Sequence, residues 1–252
     1  MPGSLRCDRS HHLEPFGSRP QRQRYPGAFI LILRLSLCTI HTPTTVDNRA
    51  MKLTPVAIAH RRNLRHQCRS ARRQLSRQQQ QCARERLARR VTTSNAFLSS
   101  QRIACYLPDD GEIDPTPIIK SAWRMGKAVY LPRLIARDNM QFFPYRQNMR
   151  LRRGRWNLRE PASAAAAVPI WSLDLVILPL VSFDNEGSRL GRGGGFYDRT
   201  LQRRREQKKI GCQPFLLGVA HQCQQRDAIP VASWDQPMHA IATDRQWYHC
   251  PR

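Results

Sequence analysis

The chain is poor in acid. Its 252 residues carry 18 aspartates and glutamates against 42 lysines and arginines, a formal net charge of +24 at pH 7. Residues 61–90 are the extreme case, with eleven arginines and the single acid Glu85. An excess of this size predicts attraction to polyanions: nucleic acid, nucleotide phosphate or polyglutamate. A solvated arginine-rich helix would explain the same run with no ligand at all. Cysteine pairs are missing too. The eight cysteines (Cys7, Cys38, Cys68, Cys82, Cys105, Cys212, Cys223 and Cys250) include no C-x-x-C, which argues against a disulfide framework or a zinc knuckle and for free thiols in a reducing, cytoplasmic compartment. No long apolar run is present. Residues 28–38 are interrupted by Arg34, are too short to span a bilayer, and lead into no convincing cleavage site, so no membrane partner is expected. Aromatic residues make up only 8% and do not interleave with the basic runs, unlike a platform for single-stranded nucleic acid.

What remains suits one sizeable domain with an extension. Residues 1–50 mix Pro, Gly, Arg and His without periodicity and read as a disordered extension, such as an upstream start would add. The domain is expected over 51–252. In 55–90, Leu64, Cys68, Ala71 and Leu75 recur at helical steps, and Ser76 is placed to cap a second helix carrying Cys82, Leu87 and Val91. Strands are predicted at 102–107, 127–132, 140–145, 174–180 and 215–220, and a helix at 114–125. This alternation predicts an α/β fold, a three-layer α/β/α sandwich around a mostly parallel, Rossmann-like sheet. Ligands of such sheets lie beyond the carboxyl ends of strands, where the loops 108–112 and 189–198 are expected.

The second loop is the most informative segment. In LGRGGGFYDR (190–199), Gly191, Gly193, Gly194 and Gly195 remove the side chains that keep a backbone from a ligand and permit positive φ. Arg189 and Arg192 add charge, and Asp198 falls in the first turn of a helix expected to reach about residue 205. A glycine loop opening a helix is suited to phosphate, and a carboxylate beside it to the magnesium of a nucleotide. Neither standard nucleotide motif is matched, because no Lys-Ser/Thr ends the loop and the third glycine of the dinucleotide spacing is absent.

The longer run DLVILPLVSFDNEGSRLGRGGGFYDRTL (174–201) closely resembles the signature of the 5-formyltetrahydrofolate cyclo-ligase family, and the likeness extends more loosely over 55–244. The resemblance implies ATP-dependent closure of 5-formyltetrahydrofolate, polyglutamylated forms included, to 5,10-methenyltetrahydrofolate, with ATP and Mg2+ as cofactors. It implies that Arg61 and Arg65 reach ATP phosphates, although the family usually has lysine at the first position. It assigns the turn (Arg189, Leu190, Gly191, Arg192, Gly193, Gly194, Gly195, Phe196 and Tyr197) to ATP, with Arg192 and Tyr197 nearest the chemistry. It assigns Leu107, Glu112 and Trp156 to folate, and Asp198 and Asp235 to magnesium. His239 stands where the family often has a further aspartate. From the residues alone, Glu112 is better suited to capping the helix that follows than to holding a ligand. Two other functions stay open at this point: a basic nucleic-acid-binding protein, which would explain the charge but not the glycine loop, and a phosphate-binding enzyme of a related α/β fold.

Overall fold

Two polar side chains start the first two helices. The Thr54 hydroxyl accepts the Ala57 N–H at 3.2 Å ahead of α1, Pro55–Arg73, which has proline in its first turn. Ser76 opens α2, Arg77–Thr92, with a reciprocal box: its hydroxyl accepts the Gln79 N–H at 3.2 Å, and Gln79 Oε1 accepts the Ser76 N–H at 2.8 Å. The structure, a computed structural model, describes residues 53–135, 139–154, 158–162, 165–206 and 213–250. The expected extension over residues 1–50 lies outside them.

Both helices bury part of the stripe that the apolar spacing suggests, Leu64 and Cys68 on α1 and Leu87 and Val91 on α2, but complete it with other residues. The buried stripe of α1 is Arg61, Leu64, Cys68 and Arg72, whereas Ala71 is half-buried and Leu75 follows the helix end. Arg72 displaces Ala71 because it has carboxylates to meet inside the fold. On α2, Ala83, Leu87, Ala88 and Val91 are buried, and Cys82 is exposed.

The remaining elements are α3 (Asn95–Leu98), β1 (Arg102–Ala104), α4 (Thr116–Arg124), β2 (Ala128–Ile135), β3 (Asn139–Pro144), the hairpin β4 (Leu151–Arg153) with β5 (Arg159–Pro161), β6 (Leu175–Pro179), the hairpin β7 (Ser182–Phe183) with β8 (Arg189–Leu190), α5 (Phe196–Glu206), β9 (Phe215–Ala220), β10 (Ala240–Thr243) and β11 (Trp247–His249). The seven-stranded sheet runs β11-β10-β9-β6-β1-β2-β3. Its five inner strands are parallel, and the edges β3 and β11 are antiparallel. β1 is shorter than the 102–107 expected from its sequence. After Ala104 one more amide, that of Cys105, bonds to Tyr130 O, and Pro108 has no N–H to continue the ladder.

Alternation along the strands builds two cores. Ile103, Leu175, Ile177, Leu217 and Val219 face Leu87, Val91, Phe97, Ile118 and Ile119 from α2, α3 and α4. Val176, Leu178, Leu216 and Ile241 face Leu201 of α5 together with Ile170 and Leu173. Each such side chain contributes roughly 2 kcal/mol by leaving water. The three-layer α/β/α arrangement holds. Among the parallel strands the spatial order is second, first, third, fourth, fifth, so connections leave β1 and β6 in opposite directions. That reversal opens a crevice at their carboxyl ends.

Candidate active site

Two loops line this crevice. The first leaves β1 and turns sharply at Asp109–Glu112, where the Glu112 N–H donates to Asp109 O at 3.0 Å. Asp110 and Gly111 have φ of 54° and 73°, a conformation that aspartate tolerates and glycine adopts freely. Arginines of α1 hold the turn. Arg72 donates from Nε to Asp110 O and from a terminal nitrogen to Asp110 Oδ2, at 2.8 and 2.9 Å, while Arg69 and Arg73 also bond the Asp110 carboxylate. Arg72 is fully buried, with Glu112 3.9 Å away.

The second loop follows the β7–β8 hairpin and opens α5. Gly193 and Gly195 have φ of 105° and 64°. A Cβ on Gly193 would meet nothing nearer than Arg65 Nε at 4.0 Å, so its requirement for glycine is conformational. Gly194 differs, because a Cβ there would lie 2.5 Å from the Phe196 ring. Among the described residues the N–H groups of Gly193, Gly194 and Gly195 have no hydrogen-bond acceptor, so three amides remain for an anion at the start of an eleven-residue helix. Leu190 contributes backbone to the turn and buries its side chain against Leu64 and Ile229. Arg65 Nε donates to Gly191 O at 2.9 Å, fixing one side of the turn to α1. Arg192 crosses to the first loop and pairs with Asp109 at 2.6 Å. Both partners of that bridge are more than 40% exposed, so it is worth under about 1 kcal/mol and can open for a ligand.

The expected metal carboxylates are engaged elsewhere. Asp198 Oδ1 accepts from the buried Arg189 guanidinium at 2.5 Å. Arg189 therefore points under the turn instead of flanking it. Asp235 is gripped by Arg61, whose two terminal nitrogens reach Oδ2 and Oδ1. Arg61 is only 7% exposed, with Asp235 and the Pro230 carbonyl as its partners. Among the described residues no three His, Cys, Asp or Glu side chains converge as a metal site. Each carboxylate is thus paired with an arginine of this chain, and a nucleotide's magnesium would rest on one or two carboxylates together with the phosphate oxygens. His239 does not compensate: its Nδ1 accepts the Leu216 N–H at 2.7 Å, at the amino end of β9, away from the crevice.

The crevice is electrostatically asymmetric. Burial pushes the Glu112 carboxyl up to about 7, against the opposing pull of Arg72 and Arg192. Burial, with Glu112 next, raises the Tyr197 and Tyr106 hydroxyls well above the usual tyrosine range. Glu112 does not cap α4; Asp114 Oδ1 accepts the Thr116 N–H instead. The Glu112 Oε2 atom accepts the Asp109 N–H at 3.2 Å. Leu107 is half-buried against the α2–α4 core. Trp156 lies outside the described residues. The spacing argument missed Arg72, Asp109 and Asp110, although Arg72 lies one turn past Cys68 on the inner stripe of α1 and could have been found there.

Fold and turn together define a class: a doubly wound α/β protein that offers free backbone amides to an anion at its strand-order switch. The chain belongs to the 5-formyltetrahydrofolate cyclo-ligase family, whose profile matches residues 57–244. It is similar to the 5-formyltetrahydrofolate cyclo-ligase of Escherichia coli K12, with 40% identity over 178 residues covering 69% of this chain and 95% of that one. The mouse 5-formyltetrahydrofolate cyclo-ligase is 28% identical over 62% of this chain and 79% of its own. The solved 5,10-methenyltetrahydrofolate synthetase of Aquifex aeolicus superposes with a TM-score of 0.65 and 26% identity, covering 76% of this chain and 93% of that one.

Proposed function

We propose that this chain closes 5-formyltetrahydrofolate to 5,10-methenyltetrahydrofolate, converting ATP to ADP and phosphate. The observation that carries the reading is the turn of unpartnered amides at Gly193–Gly195, joined to the Glu112 loop by Arg192 across the switch of strand order.

The chemical task is to make an unreactive formamide carbon electrophilic. The formyl oxygen attacks the γ-phosphorus and ADP departs, leaving an imidate-like phosphate. N10 then adds to the carbon and loses its proton, and phosphate leaves as the imidazolinium ring forms. No protein nucleophile is required. Catalysis consists of in-line positioning and neutralisation of phosphate charge. The three glycine amides and Arg65 receive the phosphates, and Arg192 exchanges Asp109 for the transferring group. Magnesium enters this reading only as the counter-ion carried by the nucleotide.

Glu112 accepts paired donors from the pterin ring, a geometry suited to a carboxylate. Leu107 borders the ring, and Tyr197 lies beside the reacting formyl group; Phe196 has no hydroxyl to offer. A groove of about 470 Å³ along α1, lined by Arg62, Arg65, His66, Arg69 and Arg73, supports acceptance of a polyglutamate tail. Free thiols at Cys68, Cys82, Cys105, Cys223 and Cys250 support a reducing, cytosolic setting. The deciding experiment mixes the chain with 5-formyltetrahydrofolate, ATP and magnesium and follows absorbance of the methenyl chromophore. A rise that needs all three is expected; its absence, with a folded chain, refutes the assignment.

A further inference from the structure

The Asp235 carboxylate is bonded by a side chain of this protein, and that side chain leads back to the phosphate turn. Arg61 NH1 donates to Pro230 O at 2.8 Å and to Asp235 Oδ2, while NH2 donates to Oδ1 at 3.0 Å. Oδ2 also accepts the Ala232 N–H at 2.8 Å, which fixes the carboxylate within its own turn. The arginine and aspartate side chains are 8% and 11% exposed, so the pair is largely withdrawn from solvent. One helical turn further along α1, Arg65 donates to Gly191 O. Arg65 also senses the pair electrostatically: burial and the neighbouring Arg61 charge lower its affinity for a proton, and Asp235 opposes them.

We infer that Asp235 is a positioning residue. Through Arg61 it clamps the start of α1 to the 230–235 segment and neutralises a charge that would repel Arg65, so that Arg65 is held on the glycine turn. The inference rests on the reading that this turn and Arg65 meet the nucleotide phosphates. A metal-ligand role and a clamp role make opposite predictions about what rescues a damaged Asp235. If Asp235 clamps, its loss leaves Arg61 as a buried, unpaired cation, and removing that cation as well relieves the defect. If Asp235 binds metal, removing Arg61 cannot help and added magnesium can.

The test is calorimetric titration of a non-hydrolysable ATP analogue into the full-length chain, with magnesium and separately in excess EDTA, alongside melting temperature. Asp235→Asn is expected to lower the melting temperature and to weaken binding about tenfold, by a similar factor in both media. The double variant Arg61→Met with Asp235→Asn is expected to regain most of the lost melting temperature and part of the affinity. Should Asp235→Asn fail to fold, Arg61→Lys decides: it keeps the charge but not the two-pronged grip, and should weaken binding several-fold with an unaltered magnesium half-saturation. A loss in Asp235→Asn that appears only with magnesium and vanishes at high magnesium overturns the clamp. So does a double variant no better than the single one, or an Arg61→Lys chain with wild-type affinity. A wild-type chain that binds the analogue yet forms no methenyl product refutes the cyclo-ligase reading and leaves the clamp standing.

Discussion

At the scale of single residues, Glu112 carries the clearest signature of a working site. Its carboxyl is raised from 4.5 to about 7, chiefly by burial. Because the folded form holds the proton more tightly than the unfolded chain, this group's contribution to stability falls as pH rises from about 4.5 to 7. If Glu112 binds the pterin as proposed, binding needs the ionised form, and kcat/KM should rise across pH 7 as Glu112 in the free enzyme loses its proton. Glu112→Gln should lower kcat/KM and flatten that limb; an acid limb near 4.5 in the unsubstituted enzyme would refute the role. Asp198 behaves oppositely to a free metal ligand. Asp198→Asn strands the buried Arg189 guanidinium and should cost about 3 kcal/mol of stability, read as a lower denaturant midpoint with unchanged slope. Excess magnesium should not restore it. Glu112 was legible from the motif, but the pairing of Arg189 with Asp198 was not, because nothing in a linear spacing says which way a guanidinium turns.

At the scale of elements, the glycine turn separates into positions with different demands. Gly193→Ala meets open space but strains a φ of 105°, so nucleotide affinity should fall while the melting temperature moves little. Gly194→Ala collides with Phe196 and should lower the melting temperature more than Gly193→Ala does. Equal effects from the two would show that the turn is not built as described. Helix starts and the continuous apolar strand β6 were readable because caps and buried parallel strands leave local signals. β10 was not: Ala240, Ile241, Ala242 and Thr243 are all buried, yet two alanines in four residues look nothing like a strand until the sheet surrounds them. The carboxyl end of the α1 stripe was misjudged for a related reason, since Arg72 is buried by carboxylates that lie nearly forty positions away in sequence.

At the scale of the molecule, the excess charge has a largely internal use. Of the eleven arginines between 61 and 90, seven (Arg61, Arg65, Arg69, Arg72, Arg73, Arg84 and Arg90) bond acceptors of the protein itself. A cation already bonded within the fold releases few counter-ions when a nucleic acid arrives. Oligonucleotide binding should therefore be weak, with a shallow dependence on salt, and tight binding at physiological salt would contradict this account. A chain beginning at Met51 should keep full activity, as the family profile starts only at residue 57. Loss of most activity on that truncation would show that the first fifty residues serve the domain.

The same arginines set an order of events during synthesis. Arg61 finds Asp235 174 positions later, and Arg90 bonds the carbonyl of Thr243 153 positions later. As the chain leaves the ribosome, α1 and α2 can coil and Arg72 can meet Asp110 early, but Arg61 and Arg90 have no partners until nearly the last residue is made. The amino end of α1 and the carboxyl end of α2 must wait, hydrated and unclamped, for the carboxyl-terminal strands to arrive. Nascent chains stalled before residue 229 should thus be cut by protease within α1, and full-length chains should not.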